Sequence, residues 1–263
     1  MQEKKTARMG RQVQAAAVLL CACLLLGGCT TKETAAKKLL EQRYGEEFVV
    51  HRTWSSGSSY AVCSPKNNKD VVFEISFSED IDTIWSDRYL DAVVSLQISR
   101  KLEKELQIYF PGCYVHSIGD YADDNRYLSF SDIQSVTPEM YTERYPDESF
   151  AVYVYVEPEN LQQDTVGEEY LYFSETLREE MEDELLPRLT ILVYYVDAGQ
   201  QNRLKQYFRT SDWQVGHTTY KDIIGAKSYD WGISYCEYGR PVGKIDVTYE
   251  EYKELRMGEK GNE

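Results

Sequence analysis

Good helix formers fill residues 33–44, with Ala36, Leu40 and Tyr44 spaced four apart and Gly45 placed to stop the helix this spacing predicts. The pattern then changes to short β runs at 48–54, 60–63 and 71–77. Ser55-Ser56-Gly57-Ser58 and the turn-forming stretch 65–68 divide them, which predicts a three-stranded antiparallel meander. Leu90, Val94, Ile98, Leu102, Leu106 and Phe110 form a second four-residue stripe. A long helix is expected over 87–110, with Lys101 and Glu105 placed to pair and Pro111-Gly112 ending it. A strand at 113–118 completes an αβββαβ unit, and a helix that long must cover one face of its sheet.

Residues 120–148 are polar and rich in turn formers, apart from a short helix expected at 138–145 with Thr137 as its cap, and they form a candidate domain boundary. Residues 150–156 are apolar on both faces and predict a central strand. Tyr170, Phe173, Leu177, Met181 and Leu185 stripe a helix over 169–186 that Pro187 stops, and 190–196 is again a fully apolar strand. A short helix at 202–208, strands at 231–238 and 242–247, and a last helix opened by a capping box of Thr248 and Glu251 finish the chain. Strand, long helix and strand recur at an offset of about 80 residues, the spacing expected of a duplicated βαβ-type unit or of shared architecture without ancestry. The expected fold class is α+β, with antiparallel or mixed sheets and long covering helices, read as two related αβ subdomains at 29–119 and 120–263 with a disordered tail from about 258.

Ahead of this pattern Lys4, Lys5, Arg8 and Arg11 precede an unbroken apolar run from Ala15 to Leu26, followed by Gly27, Gly28 and Cys29. Twelve helical residues rise about 18 Å, short of the roughly 30 Å hydrocarbon core, so residues 1–28 read as a removable secretory signal peptide and not as a span. Leu26-Gly27-Gly28-Cys29 resembles the lipobox of bacterial lipoproteins. That resemblance implies cleavage before Cys29, a diacylglyceryl group on its thiol, and attachment to the extracytoplasmic face of the cell membrane. An ordinary signal peptide with Cys29 as a plain thiol is the other reading. Two acyl chains suffice for stable anchoring where one does not.

Removing residues 1–28 takes away four bases and one acid, leaving 25 Lys and Arg against 43 Asp and Glu, a net charge of −18. Such a surface repels nucleic-acid phosphates, which sets aside a nucleic-acid role. Of the six cysteines, Cys21 and Cys23 leave with the signal peptide and Cys29 is the acylation candidate. Cys63, Cys113 and Cys236 remain, so at most one disulfide can form, and buried or unpaired thiols are expected.

Chemical motifs are sparse. His51, His116 and His217 are scattered, without the close spacing a zinc site needs. Cys113 and His116 lie three apart in an expected strand and should point to opposite faces; Cys236 and His217 could approach only through the fold. No nucleophile elbow, phosphate-cradling loop or dinucleotide fingerprint is present. Asp120, Asp123 and Asp124, and less so Glu79, Asp80 and Asp82, are candidate calcium ligands, although short acids also favour turns for their local hydrogen bonds. No other cofactor is implied. Trp54, Tyr60, Trp213, Trp231, Tyr235 and Tyr238 could form a recognition platform, with burial in the core the favoured role for each.

The stretch from Leu39 to Phe48, with the strands Tyr60-Ala61-Val62-Cys63 and Val72-Phe73-Glu74, resembles the start of uncharacterised surface lipoproteins of Gram-positive bacteria. The helix followed by a meander is similar to small units of the PepSY or cystatin-like kind, a likeness of architecture that implies no activity. The expected function is a non-catalytic binding or adaptor protein of the cell envelope, anchored by lipid and engaging an envelope protein. An envelope hydrolase with carboxylates from distant parts of the chain, and a sensor or protease-inhibitor-like module, are the competing classes.

Overall fold

The computed structural model describes residues 31–78, 83–119, 130–161, 165–176, 188–210, 231–237 and 240–257. The fold is α+β, as the pattern of apolar positions predicts. Helix α1 (Lys32–Tyr44) opens where the Thr31 hydroxyl accepts a hydrogen bond from the Thr34 amide, and it closes at Gly45, whose φ of 72° is the left-handed conformation glycine adopts without strain. Strands β1 (Phe48–Ser55), β2 (Ser59–Pro65), β3 (Phe73–Phe77) and β4 (Ile84–Asp87) form a four-stranded antiparallel sheet in sequence order. Strand β4 was not foreseen; its four residues are too short to show an alternation.

Helix α2 (Tyr89–Leu106) follows, and then β5 (Tyr114–Gly119). Strand β5 does not close the first unit as expected. It is the edge of a second, mixed sheet with order β5-β6-β7-β8-β9, completed by β6 (Phe150–Val156), β7 (Leu189–Tyr195), β8 (Trp231–Glu237) and β9 (Arg240–Ile245). Among the described residues only the β6–β7 pair is parallel. Between those two strands α4 (Val166–Leu171) runs into a π turn at Tyr172–Thr176. The matched offsets therefore hide two topologies: β3 and β5 lie in different sheets, whereas β6 and β7 are neighbours in one. Helix α3 (Pro138–Arg144) is capped by Thr137, α5 is Gln200–Thr210, and α6 (Tyr249–Met257) begins at the reciprocal Thr248–Glu251 cap.

One continuous core joins the inner faces of both sheets, from Phe48, Phe73 and Ile75 in the first to Val152, Val154 and Ile191 in the second. Helix α2 lies within it. Its predicted stripe of Leu90, Val94, Ile98, Leu102 and Leu106 is buried, and so is a second row of Asp91, Ser95 and Ser99. A smaller cluster of Tyr155, Tyr194, Leu204, Tyr207 and Phe208 packs α5 on the other face of the second sheet. Each such apolar side chain contributes about 1.5–3 kcal/mol when removed from water.

Buried charge pins the last helix. Glu169 of α4 receives Arg256 of α6 at 2.8 and 2.9 Å through two guanidinium nitrogens, and Thr165 and Tyr252 also donate to it, at 2.6 and 3.1 Å.

Candidate functional site

The second row of α2 faces the free edge of β5, and a cleft of about 190 Å³ lies there. Its lining includes Arg88, Asp91, Ser95, Ser99, Arg100 and Glu103 from or beside α2, His116 and Ser117 from β5, and Phe208 from α5. A serine, a histidine and an aspartate thus share one cleft, and their hydrogen bonds decide what they can do.

Ser99 donates to the Ser95 carbonyl at 2.8 Å and accepts from the Ser117 amide at 2.8 Å, so its proton is committed to its own helix. Asp91 accepts from the Tyr141 hydroxyl at 2.8 Å. The His116 ring stacks on Phe208 with centroids 3.8 Å apart, and burial pushes its pKa down to about 3, leaving it neutral at physiological pH. Ser117 Oγ is buried without a hydrogen-bond partner among the described residues. Side chains of α2 and of the residues that cap its two ends also cover the outward backbone of β5 and of Cys113 just before it: Gln107 donates to the Cys113 carbonyl, Ser99 meets the Ser117 amide, and Arg88 reaches the Gly119 carbonyl at 2.9 Å. An exposed edge strand is a template for wrong pairing, and this helix blunts it.

The carboxylates with raised pKa do not converge on the cleft. Glu74 is pushed up to about 7 by partial burial and sits on the outer face of the first sheet, because its neighbours Phe73 and Ile75 point into the core. Asp87 is also raised by burial, against the opposing effects of Tyr44 and Arg43, which donate to it at 2.5 and 3.1 Å, and of the Tyr89 amide. It pairs across the sheet with Ile75 and so lies on the opposite face from Glu74. A wider hollow of about 550 Å³ beside Glu46, Asn67 and Gln134 is polar, with Glu46 accepting from Tyr89 at 2.6 Å and from Gln134.

Cys63 and Cys113 are free and buried, and burial raises both thiols, Cys113 to about 12. Cys113 and His116 take separate places: the thiol is in the core near Gln107 and the imidazole stacks on α5, as the strand geometry predicts. Trp54 and Tyr60 correct an expectation. They are half-buried on the outer face of the first sheet, stacked on each other at 5.1 Å, because the inward places of β2 are taken by Ala61 and Cys63. Among the described residues no group of three or more His, Cys, Asp or Glu could hold a metal ion, and no helix is long and apolar enough to cross a membrane. Leu26, Gly27, Gly28, Cys29, the candidate calcium ligands Asp120, Asp123 and Asp124, the loop acids Glu79, Asp80 and Asp82, and Trp213 and His217 lie outside the described residues. The cleft itself escaped the sequence reading, although Asp91, Ser95 and Ser99 at four-residue spacing were its visible signal.

The molecule is thus an α+β protein in which an antiparallel sheet and a mixed sheet share one core and one long helix. The same fold occurs in the crystal structure of a DUF5037 family protein from Ruminococcus gnavus ATCC 29149, with a TM-score of 0.67 and 20% sequence identity over 87% of this chain and 100% of that one. A DUF1672 family protein from Staphylococcus aureus subsp. aureus Mu50 aligns with a TM-score of 0.29 and 16% identity over 60% of this chain and 77% of its own. No family model and no curated protein matches the sequence.

Proposed function

We propose that this chain is a lipid-anchored protein on the extracytoplasmic face of a bacterial membrane, and that it binds a ligand or envelope partner at the α2–β5 cleft without performing chemistry on it. The observation that carries the binding reading is the commitment of the cleft's reactive groups to the fold. The Ser99 proton goes to a helix carbonyl, Asp91 holds Tyr141, and His116 stays neutral against Phe208. A general base must reach the proton it removes; these groups are instead held as a shaped polar wall. The anchoring reading is supported by the lipobox-like sequence and by the start of the fold, since the α1 cap Thr31 follows Cys29 by two residues.

Two arms test this. Cells fed an alkyne-bearing palmitate should label the wild-type protein in the membrane fraction and leave Cys29→Ser unlabelled; equal labelling of both refutes the anchor. Cell-wall fragments at about a hundred times their dissociation constant should stabilise the protein by roughly 2.7 kcal/mol. Ser95→Trp, which fills the cleft, should abolish that shift. A shift that survives the substitution places binding elsewhere, and turnover of a wall fragment by the purified protein refutes the non-catalytic reading.

A further inference from the structure

We infer that one end of the first sheet lies in the lipid headgroup layer, with Trp54, Tyr60 and Trp85 as interfacial anchors. This rests on the lipid-anchor reading and goes further, since it fixes which surface of the fold meets the membrane. Paired residues show which chain positions share that end. Ser55 pairs with Ser59, Ser59 with Phe77, and Phe77 with Ile84, so the β1–β2 turn, the end of β3 and the start of β4 come together. The amino end of α1 joins them, because Lys32 donates to the Ser55 hydroxyl. Cys29, two residues before Thr31, is therefore tied to this end and to no other. A fully extended chain reaches at most about 3.5 Å per residue, so the cap of α1 stays within roughly 7 Å of an acylated Cys29. The headgroup region on each side of the hydrocarbon is itself about 5–8 Å deep.

The side chains at this end suit that environment. Trp54 and Tyr60 stack as a half-buried cross-strand pair one position from the turn. Trp85, second residue of β4, is 48% exposed and is one of the large apolar side chains that the described residues leave exposed. Two of the four tryptophans of the chain thus sit at the tethered end, in the role that Trp and Tyr take at membrane–water boundaries. Charge does not drive the contact. At the start of α1 Lys32 is followed by Glu33, and Lys37 pairs with Glu41 at 3.6 Å. The association should accordingly be insensitive to salt and to the fraction of anionic lipid.

The test uses the acylated protein purified from membranes and reconstituted into vesicles of phosphatidylcholine with phosphatidylglycerol, carrying bromine on the upper acyl chain. Two single-tryptophan variants are compared: one keeps Trp54 and the other Trp85, with the remaining three changed to Phe. Emission from each should fall by about half relative to unbrominated vesicles, equally at low and high salt. Because triple replacements can disturb folding, hydrogen exchange of the 55–59 turn is followed in the unsubstituted protein. Exchange should slow by roughly tenfold on vesicles relative to the unanchored Cys29→Ser protein. Protein that carries palmitate and sediments with vesicles, yet shows neither quenching nor slowed exchange, overturns this orientation and leaves the anchor standing. Failure of palmitate labelling overturns both.

Discussion

Replacing Arg256 with alanine should destabilise the protein by about 3–5 kcal/mol, because it strips the counter-ion from a carboxylate that meets no other cation among the described residues. The side chains of Arg256 and Glu169 are 2% and 0% exposed, and the guanidinium makes two contacts with the carboxylate, at 2.8 and 2.9 Å. Solvent screening, which reduces most surface ion pairs to a few tenths of a kcal/mol, is absent here. The hydroxyls of Thr165 and Tyr252 remain as donors, but neutral donors alone do not compensate a buried charge. For a chain of this size 1 kcal/mol moves Tm by about 2–4 °C, so the expected fall is roughly 6–20 °C. Urea denaturation followed by circular dichroism, with a thermal melt beside it, reads both quantities. The second half of the experiment is Arg256→Met combined with Glu169→Gln, which removes both charges while keeping an acceptor for the two hydroxyls. It should recover at least half of the lost stability. A single variant within 1 kcal/mol of wild type, or a double variant no better than the single, refutes the reasoning.

Four further outcomes can be measured elsewhere in the molecule. Ser99→Ala leaves the Ser117 amide at the β5 edge without its acceptor and should cost about 1–3 kcal/mol by urea denaturation. Glu74, raised from 4.5 to about 7, binds its proton more tightly when folded, so its contribution is present below pH 4.5 and is lost as pH rises towards 7. Glu74→Gln should remove that loss and gain about 1–2 kcal/mol at pH 8 after allowance for screening of this half-buried group. His116 acts with the opposite sign, since its lowered pKa makes the folded state lose stability as pH falls below 6.5; His51, also lowered by burial, shares that slope, which stability curves of the Glu74→Gln protein should retain. Iodoacetamide at pH 8 should leave Cys63 and Cys113 unmodified in the folded protein and label both in urea, as peptide mass mapping will show.

Local periodicity made most elements legible, and long-range pairing did not. The stripe from Leu90 to Leu106 predicts α2, and Thr137 and the Thr248–Glu251 pair mark helix starts, because those signals reside in neighbouring residues. The placement of β5 in the second sheet depends on its pairing with β6, some thirty residues away, which no local pattern encodes. The cleft was half legible: Asp91, Ser95 and Ser99 repeat every four residues, but small polar residues on a helix read as a solvated face until a strand edge is known to cover them. Trp54 and Tyr60 were expected inside because aromatics usually are, and the alternation of Ala61 and Cys63 on β2 decides otherwise.

Helix α2 has consequences for the order in which the chain can assemble. Its predicted row packs with the first sheet and the common core, and its second row meets β5, whose sheet is completed by strands made much later. A chain emerging amino end first can close the β1–β4 meander at once, yet must leave Asp91, Ser95 and Ser99 facing water until β5 and β6 arrive. The first half is then a waiting platform, with one flank finished and the other open. The two sheets should consequently lose structure together on heating, in a single transition, and a fragment ending before β5 should be sticky and prone to proteolysis.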